Sequence, residues 1–272
     1  MTAIADNRIV STFAELRKSS KRTVLPFITA GFPDLDTTLA LLRDFERRGV
    51  RICELGVPFS DPIADGPVIQ ASYTDALAAG MTSDKALAAV RRYRDGGGSM
   101  AVLAMVSYSI VFRHGVEAFL DAAAGAGLDG TIIPDLPAEE AAGAEAFASA
   151  RGLANVLLVA PTTPPDRQAE IARHSRGFLY FISVAGTTGA RDGLPPETIA
   201  AVAELRKHTD TPICVGFGIS NAATVANVCR VADGAIVGSA IVRRLAEARG
   251  AARERLVAAA GELVSELLAP LT

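Results

Sequence analysis

The sequence predicts an α/β protein folded as a (β/α)8 TIM barrel with an extra helix ahead of the first strand. Two observations lead there. Eight short apolar runs, at 24–31, 52–58, 100–108, 130–135, 155–161, 178–184, 212–218 and 234–242, are nearly continuous in apolar residues, as strands buried on both faces are. Segments with helical spacing of apolar residues lie between them, so strand and helix alternate over about the length that such a barrel needs.

The elements follow in order. STFAELRKS at 11–19 is the extra helix, and VLPFITAG at 24–31 the first strand. DTTLALLRDFERRG (36–49) leads to ICELGVP (52–58), and TSDKALAAVRRYRD (82–95) to MAVLAMVSY (100–108). GVEAFLDAAAGAG (115–127) precedes GTIIPD (130–135), and AEEAAGAEAFASARG (138–152) precedes NVLLVAP (155–161). PDRQAEIARHS (165–175), PETIAAVAELRKH (196–208) and NAATVANVCRVA (221–232) separate FLYFISV, PICVGFG and GAIVGSAIV, and a helix within 247–268 closes the chain. Several helical segments open on Asp, Thr, Ser or Pro and several end on Gly, the expected capping asymmetry. An open doubly wound sheet would call for a GxGxxG turn after an early strand, and none is present there. No linker or low-complexity stretch interrupts the alternation, so residues 1–272 are expected to form a single barrel domain.

Composition narrows the function. With 272 residues, half of them hydrophobic, the chain can bury a sizeable core. A formal charge of -3, no tryptophan and no basic stripe interleaved with aromatics leave no electrostatic reason to expect nucleic acid, while acidic phosphoesters remain open as small ligands. Cys53, Cys214 and Cys229 are widely spaced in apolar runs without a CxxC pairing and read as buried reduced thiols. The N-terminal stretch has neither a secretory pattern nor an organelle presequence, and no apolar run reaches the ~18 residues of a membrane span. A cytoplasmic protein is expected.

In such a barrel the C-terminal ends of the strands and the loops after them form the active-site mouth. The stretch ELGVPFSDPIADGP places Glu54, Asp61 and Asp65 there. If Ile52 and Gly56 point into the barrel, period-2 alternation turns Glu54 inward as well. Unpaired, it would be desolvated and its pKa raised, which suits proton exchange near neutral pH. The competing reading is a structural carboxylate paired with an inward Arg or Lys, although the inward positions of the other strands offer no obvious cation. Asp61, between Ser60 and Pro62, fits a turn cap as well as it fits catalysis. Asp65 lies in the loop beside the strand end that carries Glu54, so two acids in different environments would face one substrate and divide donor and acceptor duties.

A second cluster lies late in the chain. Loops after strands seven and eight commonly build a phosphate site from Gly backbone N–H groups and a helix N-terminus. Gly218, Gly238 and Ser239 are the natural donors, with Gly189 closing from the strand-six loop; the plainer reading is glycines that serve tight turns. The Gly-rich loop 186–196, with Thr188 and Arg191, reads either as a lid over the mouth or as a surface loop. The lysines, Lys18, Lys21, Lys85 and Lys207, fall in helical or flanking positions, which disfavours imine chemistry on a strand lysine. His114, His174 and His208 fall in helices or at their ends, so no metal cluster is expected. Carboxylate proton transfer is the mechanism left.

The segments LPFITAGFPD (25–34), ELGVPFSDPIADGPVIQ (54–70), PDLPAEE (134–140), YFISVAGTTGAR (180–191), GFGIS (216–220) and GSAIV (238–242) closely resemble the tryptophan synthase alpha subunit family, in order across nearly the whole chain. The resemblance implies retro-aldol cleavage of indole-3-glycerol phosphate to indole and glyceraldehyde 3-phosphate, with no cofactor and no metal. By the same carry-over, Glu54 would pass a proton to the indole C3 and assist at the glycerol hydroxyl, while Asp65 would hold the indole N–H as positive charge develops on the ring. Tyr180 matches the tyrosine beside the glutamate, and Phe27 and Ile132 match apolar walls around the indole; spacing alone would make all three ordinary core. Thr188 and Gly189 correspond to the closing lid, the threonine touching the loop aspartate, and Gly218, Gly238 and Ser239 to the phosphate amides. Family members usually carry Tyr-x-Asn at the end of strand three, where this chain has Ser107, Tyr108, Ser109 and Ile110. That change leaves the cleavage chemistry untouched and bears on coupling to the usual beta subunit of an alpha2-beta2 assembly, whereas Asp135 matches the interface aspartate after strand four. Beside this reading stand a lyase that works alone and releases indole for another pathway, a silent subunit that keeps only the partner surface, and a different phosphate-binding barrel such as a sugar-phosphate isomerase.

Overall fold

The computed structural model describes residues 4, 7–63, 65–136, 138–183, 196–216 and 218–271. Eight parallel strands close into a barrel in chain order: β1 (Thr23–Thr29), β2 (Ile52–Gly56), β3 (Ala101–Met105), β4 (Gly130–Ile132), β5 (Ala154–Val159), β6 (Leu179–Ile182), β7 (Ile213–Gly216) and β8 (Gly234–Val237), with β8 pairing back to β1. The helices are α1 (Arg8–Lys18), α2 (Leu35–Arg47), α3 (Pro67–Ala78), α4 (Ser83–Asp95), α5 (Tyr108–His114), α6 (Val116–Ala126), α7 (Ala138–Ala150), α8 (Pro165–His174), α9 (Pro196–Arg206), α10 (Ala222–Val228), α11 (Ser239–Glu247) and α12 (Arg253–Leu268). Among the described residues no helix is long and apolar enough to cross a membrane.

Alternation along the strands divides the apolar residues between two cores. Leu25, Ile52, Leu103, Ile132, Val156, Tyr180, Cys214 and Ile236, one from each strand, fill the barrel interior. Their neighbours Val24, Cys53, Val102, Phe181, Val215 and Val237 face the surrounding helices. The lower end of the barrel is plugged by α1, whose Ile9, Phe13 and Leu16 join the interior core, Phe13 meeting Phe178 at 5.8 Å between ring centroids.

Polar contacts seat the plug. Asn7 caps α1 by accepting from the Ile9 N–H at 2.9 Å, and its amide donates to the carbonyls of Asp129 at 2.6 Å and Gly152 at 2.8 Å. The Asp129 carboxylate, 3% exposed, accepts from Arg8 at 2.8 Å, Arg94 at 2.7 Å and the Val102 N–H at 2.8 Å. One buried acid thus ties the plug, α4 and the start of β3 together.

Three helices depart from expectation, and the reasons are local. The α3 segment buries Ile69, Ser72, Tyr73 and Ala76, a helical stripe whose middle pair do not read as core. Tyr108–His114, taken partly into the third strand, is a helix capped by the Ser107 side chain, its aromatic and β-branched residues notwithstanding. GSAIV, assigned to the eighth strand, is split: β8 ends at Val237 and Ser239 opens α11, because Ile241, Val242 and Leu245 are buried at helical spacing beyond Gly238.

Removing the acid at the barrel floor tests the arrangement. Asp129→Ala leaves Arg94 buried without its carboxylate, and a loss of about 3 kcal/mol is expected from urea unfolding; a change below about 1 kcal/mol would show that the cluster is replaceable.

Candidate active site

Glu54 stands at the middle of β2, in register with Phe27 of β1 and Leu103 of β3. Its side chain is fully buried, and neither carboxylate oxygen has a hydrogen-bond partner. No arginine or lysine among the described residues pairs with it, so the reading of Glu54 as half of a structural ion pair falls away. Burial pushes its pKa up to about 8, because the charged form has lost water and gained no partner. At neutral pH it is a poised acid.

Asp65 sits just before α3. Its backbone is gripped by that helix: the Gln70 side chain donates to the Asp65 carbonyl at 2.7 Å and to the Pro62 carbonyl at 3.2 Å, and the Asp65 N–H donates to the Pro62 carbonyl at 3.0 Å. The carboxyl is half-buried, and its pKa rises to about 6 through burial. It lines a cleft of about 90 Å3 with Val57, Phe59, Tyr73, Met105 and Pro134. Asp61 lies along the same cleft but is exposed, its carbonyl accepting from the Ile63 N–H at 2.9 Å, which favours the turn role. The two carboxyls are therefore unequal: one sealed in the barrel, the other at its rim.

The predicted walls are present as buried side chains. Phe27 is 4% exposed, Ile132 fully buried and Tyr180 4% exposed. Two glycines make the room. A Cβ on Gly56 would lie 2.3 Å from the Phe27 ring and 2.7 Å from the Tyr73 hydroxyl, and one on Gly216 would lie 2.3 Å from the Tyr180 hydroxyl. Burial, then the charges of Glu54 and Asp65, hold the Tyr180 phenol well above the usual tyrosine range, which places all three groups in one electrostatic neighbourhood.

The glycines and serine expected to meet a phosphate follow the ends of β7 and β8. Gly238 caps α11 without a side-chain hydrogen bond, Ser239 is its first residue, and Gly218 follows the end of β7 with a φ of +75°. A Cβ on Gly238 would lie 3.3 Å from the Phe27 ring, so the start of α11 borders the apolar wall. Thr188, Gly189 and Arg191 lie outside the described residues.

Sequence reasoning missed Gly56, Gly216, Gln70 and Tyr73. The glycines end strands two and seven, where inward parity was readable, but the rings that need their missing Cβ come from other elements. Gln70 and Tyr73 became visible only once α3 was recognised as a helix with both on one face.

Outside the mouth, a surface groove of about 610 Å3 runs between α2, the turn after α4 and α12. Its charges are largely matched: Asp44 pairs with Arg47 at 3.0 Å and Arg48 at 2.5 Å, and Arg253 approaches Asp36 at 3.5 Å. Nothing there resembles the unpaired acid of the barrel.

The strain on Glu54 can be measured. A carboxyl whose folded pKa exceeds its unfolded value of 4.5 binds more protons when folded, so its ionisation cost is absent at low pH and grows as pH rises toward 8. Glu54→Gln is expected to gain stability relative to the wild type by ~4 kcal/mol between those limits, read from urea midpoints at each pH. A difference that stays constant with pH would mean Glu54 ionises freely.

The chain and its barrel have known counterparts. A family model described as tryptophan synthase alpha chain matches residues 13–268. The tryptophan synthase alpha chain of Geotalea daltonii is 45% identical over 243 residues, 89% of this chain and 92% of the relative, and that of Synechococcus elongatus is 47% identical over 249 residues, 91% of each. The crystal structure of tryptophan synthase subunit alpha from Legionella pneumophila superposes with a TM-score of 0.90 at 36% identity, covering 98% of this chain and 99% of that one. With the family model spanning residues 13–268 and relatives of this identity covering 89% and 91% of the chain, the chain belongs to the tryptophan synthase alpha chain family.

Proposed function

We propose that Glu54 and Asp65 perform the reaction of this family. As a member, the chain is a lyase of tryptophan biosynthesis that splits indole-3-glycerol phosphate into indole and D-glyceraldehyde 3-phosphate by retro-aldol acid–base chemistry. The observation that carries the residue assignment is the buried carboxyl of Glu54, without any hydrogen-bond partner, among Phe27, Tyr180 and the strand interior.

The proton count closes on one carboxyl. Neutral Glu54 gives its proton to the indole C3, which leaves a ring cation with charge at N1. Asp65, ionised, holds that N–H and stabilises the charge where it develops. The Glu54 carboxylate then takes the proton of the hydroxyl next to the ring, the C3–side-chain bond breaks, its electron pair returns to the ring as indole, and the hydroxyl carbon becomes the aldehyde. Glu54 ends protonated, ready for another turn. A pKa near 8 suits this cycle, since the group must start neutral and still give up its proton near neutral pH. Phe27, Ile132 and Tyr180 would enclose the indole, and the amides around Gly218, Gly238 and Ser239 would take the phosphate, with Thr188 and Gly189 assigned to the lid by family likeness alone.

A beta-subunit partner is part of the same reading. Phe112 on α5 is 68% exposed, with the Tyr108 ring tilted against it at 5.8 Å between centroids. Asp135 accepts from the Ser107 hydroxyl and from the Tyr108 N–H, both at 2.7 Å, and so anchors α5 at the mouth. Ser107, one of the two serines that depart from the family pattern, would thus tether this surface.

Three outcomes follow. Glu54→Gln is expected to lower indole release at least ~10²-fold, the scale of a lost general acid–base; retention of activity would remove Glu54 from the mechanism. The kcat/KM profile of the wild type is expected to fall below about pH 6, as Asp65 becomes neutral, and above about pH 8, as Glu54 ionises, with the acid limb missing in Asp65→Asn. Mixing with a beta subunit should raise turnover and yield a co-eluting complex; no complex and no activation would favour the lyase that works alone.

A further inference from the structure

We propose that the Tyr73 hydroxyl positions Asp65, donating a hydrogen bond to its carboxylate when substrate occupies the site. The inference rests on the reading of Asp65 given above. Tyr73 lies on α3, is 3% exposed, and has no hydrogen-bond partner for its hydroxyl among the described residues. The oxygen points at the end of β2, where a Cβ on Gly56 would meet it at 2.7 Å, and the side chain lines the same cleft as Asp65.

The fold makes no use of this oxygen. A phenylalanine would fill the same volume, and the hydroxyl, which is not among the sealed unpartnered atoms and so opens to the cleft, adds no contact to the fold. Its surroundings say what would use it. Burial, then the charges of Asp65 and Glu54 in that order, hold the Tyr73 phenol far above the usual tyrosine range, so it stays a hydrogen donor throughout the working pH. The titratable groups around the Asp65 carboxyl are Tyr73 from α3, Glu54 from β2, Tyr180 from β6, Asp61 from its own loop and Asp135 beyond β4. No cation is among the described residues that line this cleft.

Asp65 must be ionised to hold the indole N–H, yet burial drives it toward the neutral form. A donor to the charged form offsets that, and Tyr73 is the available neutral one. The same helix already holds the loop: Gln70, one turn earlier on the same face, grips the Asp65 carbonyl at 2.7 Å. Thus α3 would fix the main chain through Gln70 and the charge through Tyr73.

The test compares the full-length wild type, Tyr73→Phe, Asp65→Asn and the double variant for indole release from indole-3-glycerol phosphate across pH. Tyr73→Phe is expected to lower kcat about tenfold, as for a lost hydrogen bond to a charged group, with an unfolding midpoint no lower than that of the wild type. In the Asp65→Asn background the same change should cost less than about twofold. The acid limb of kcat should move up by about one pH unit in Tyr73→Phe, while that of kcat/KM, which reports the free enzyme, stays in place. Equal losses in both backgrounds would assign the hydroxyl to substrate or to packing and overturn the proposal, as would an unmoved kcat limb. The reading of Asp65 fails by a different sign: a wild type that releases no indole, or an Asp65→Asn variant as fast as wild type.

Discussion

A carboxyl group enclosed on all sides without a partner is the constraint to which the rest of this structure answers. Glu54 is held in the middle of a strand, bounded by Phe27 and Leu103 on the neighbouring strands. An isolated ionised carboxylate in such a place is costly, so the group stays neutral and its pKa rises instead. The barrel tolerates this because the surrounding core is large: every strand contributes an interior apolar residue, and α1 seals the far end. Stability supplied by the scaffold is what lets one position hold a strained, reactive acid.

The mouth of the barrel is built by omission as much as by addition. Gly56 and Gly216 end their strands without side chains, and into the space they leave come the rings of Phe27, Tyr73 and Tyr180. Gly238 does the same for the close approach of Phe27 to the start of α11. The apolar wall and the N-terminus of α11 are therefore neighbours through Phe27, the juxtaposition that the proposed binding of an aromatic head and a phosphate tail would use. The polar groups are arranged by depth. Glu54 is fully buried, Tyr73 and Tyr180 nearly so, and Asp65 lies at the rim on a loop that α3 grips through Gln70.

The outer face of the mouth has its own order. Asp135 accepts from the first two residues of the α5 turn and so fixes the helix that exposes Phe112. Ser107 is integrated into the fold, since it both caps α5 and donates to Asp135. A single hydroxyl thereby links two loops on the rim that carries Asp65.

By itself the sequence determined the barrel, because its evidence is local: the period of 2 in strands buried on both faces, the period of 3.6 between them, and caps at fixed offsets. It also determined that Glu54 would face inward, from parity with Ile52 and Gly56. It did not reveal α3, whose buried stripe includes Ser72 and Tyr73, nor α5, whose first turn carries an aromatic and a β-branched residue, nor the onset of α11, where Ile241 and Val242 continue the apolar run of β8. Only the tertiary structure decided that Glu54 has no cation among the described residues, that Gly56 and Gly216 make room for rings from other elements, and that Tyr73 lines the same cleft as Asp65. The physical reason is that pairing, close approach and desolvation depend on residues far apart in the chain, and closure of the barrel alone brings those together.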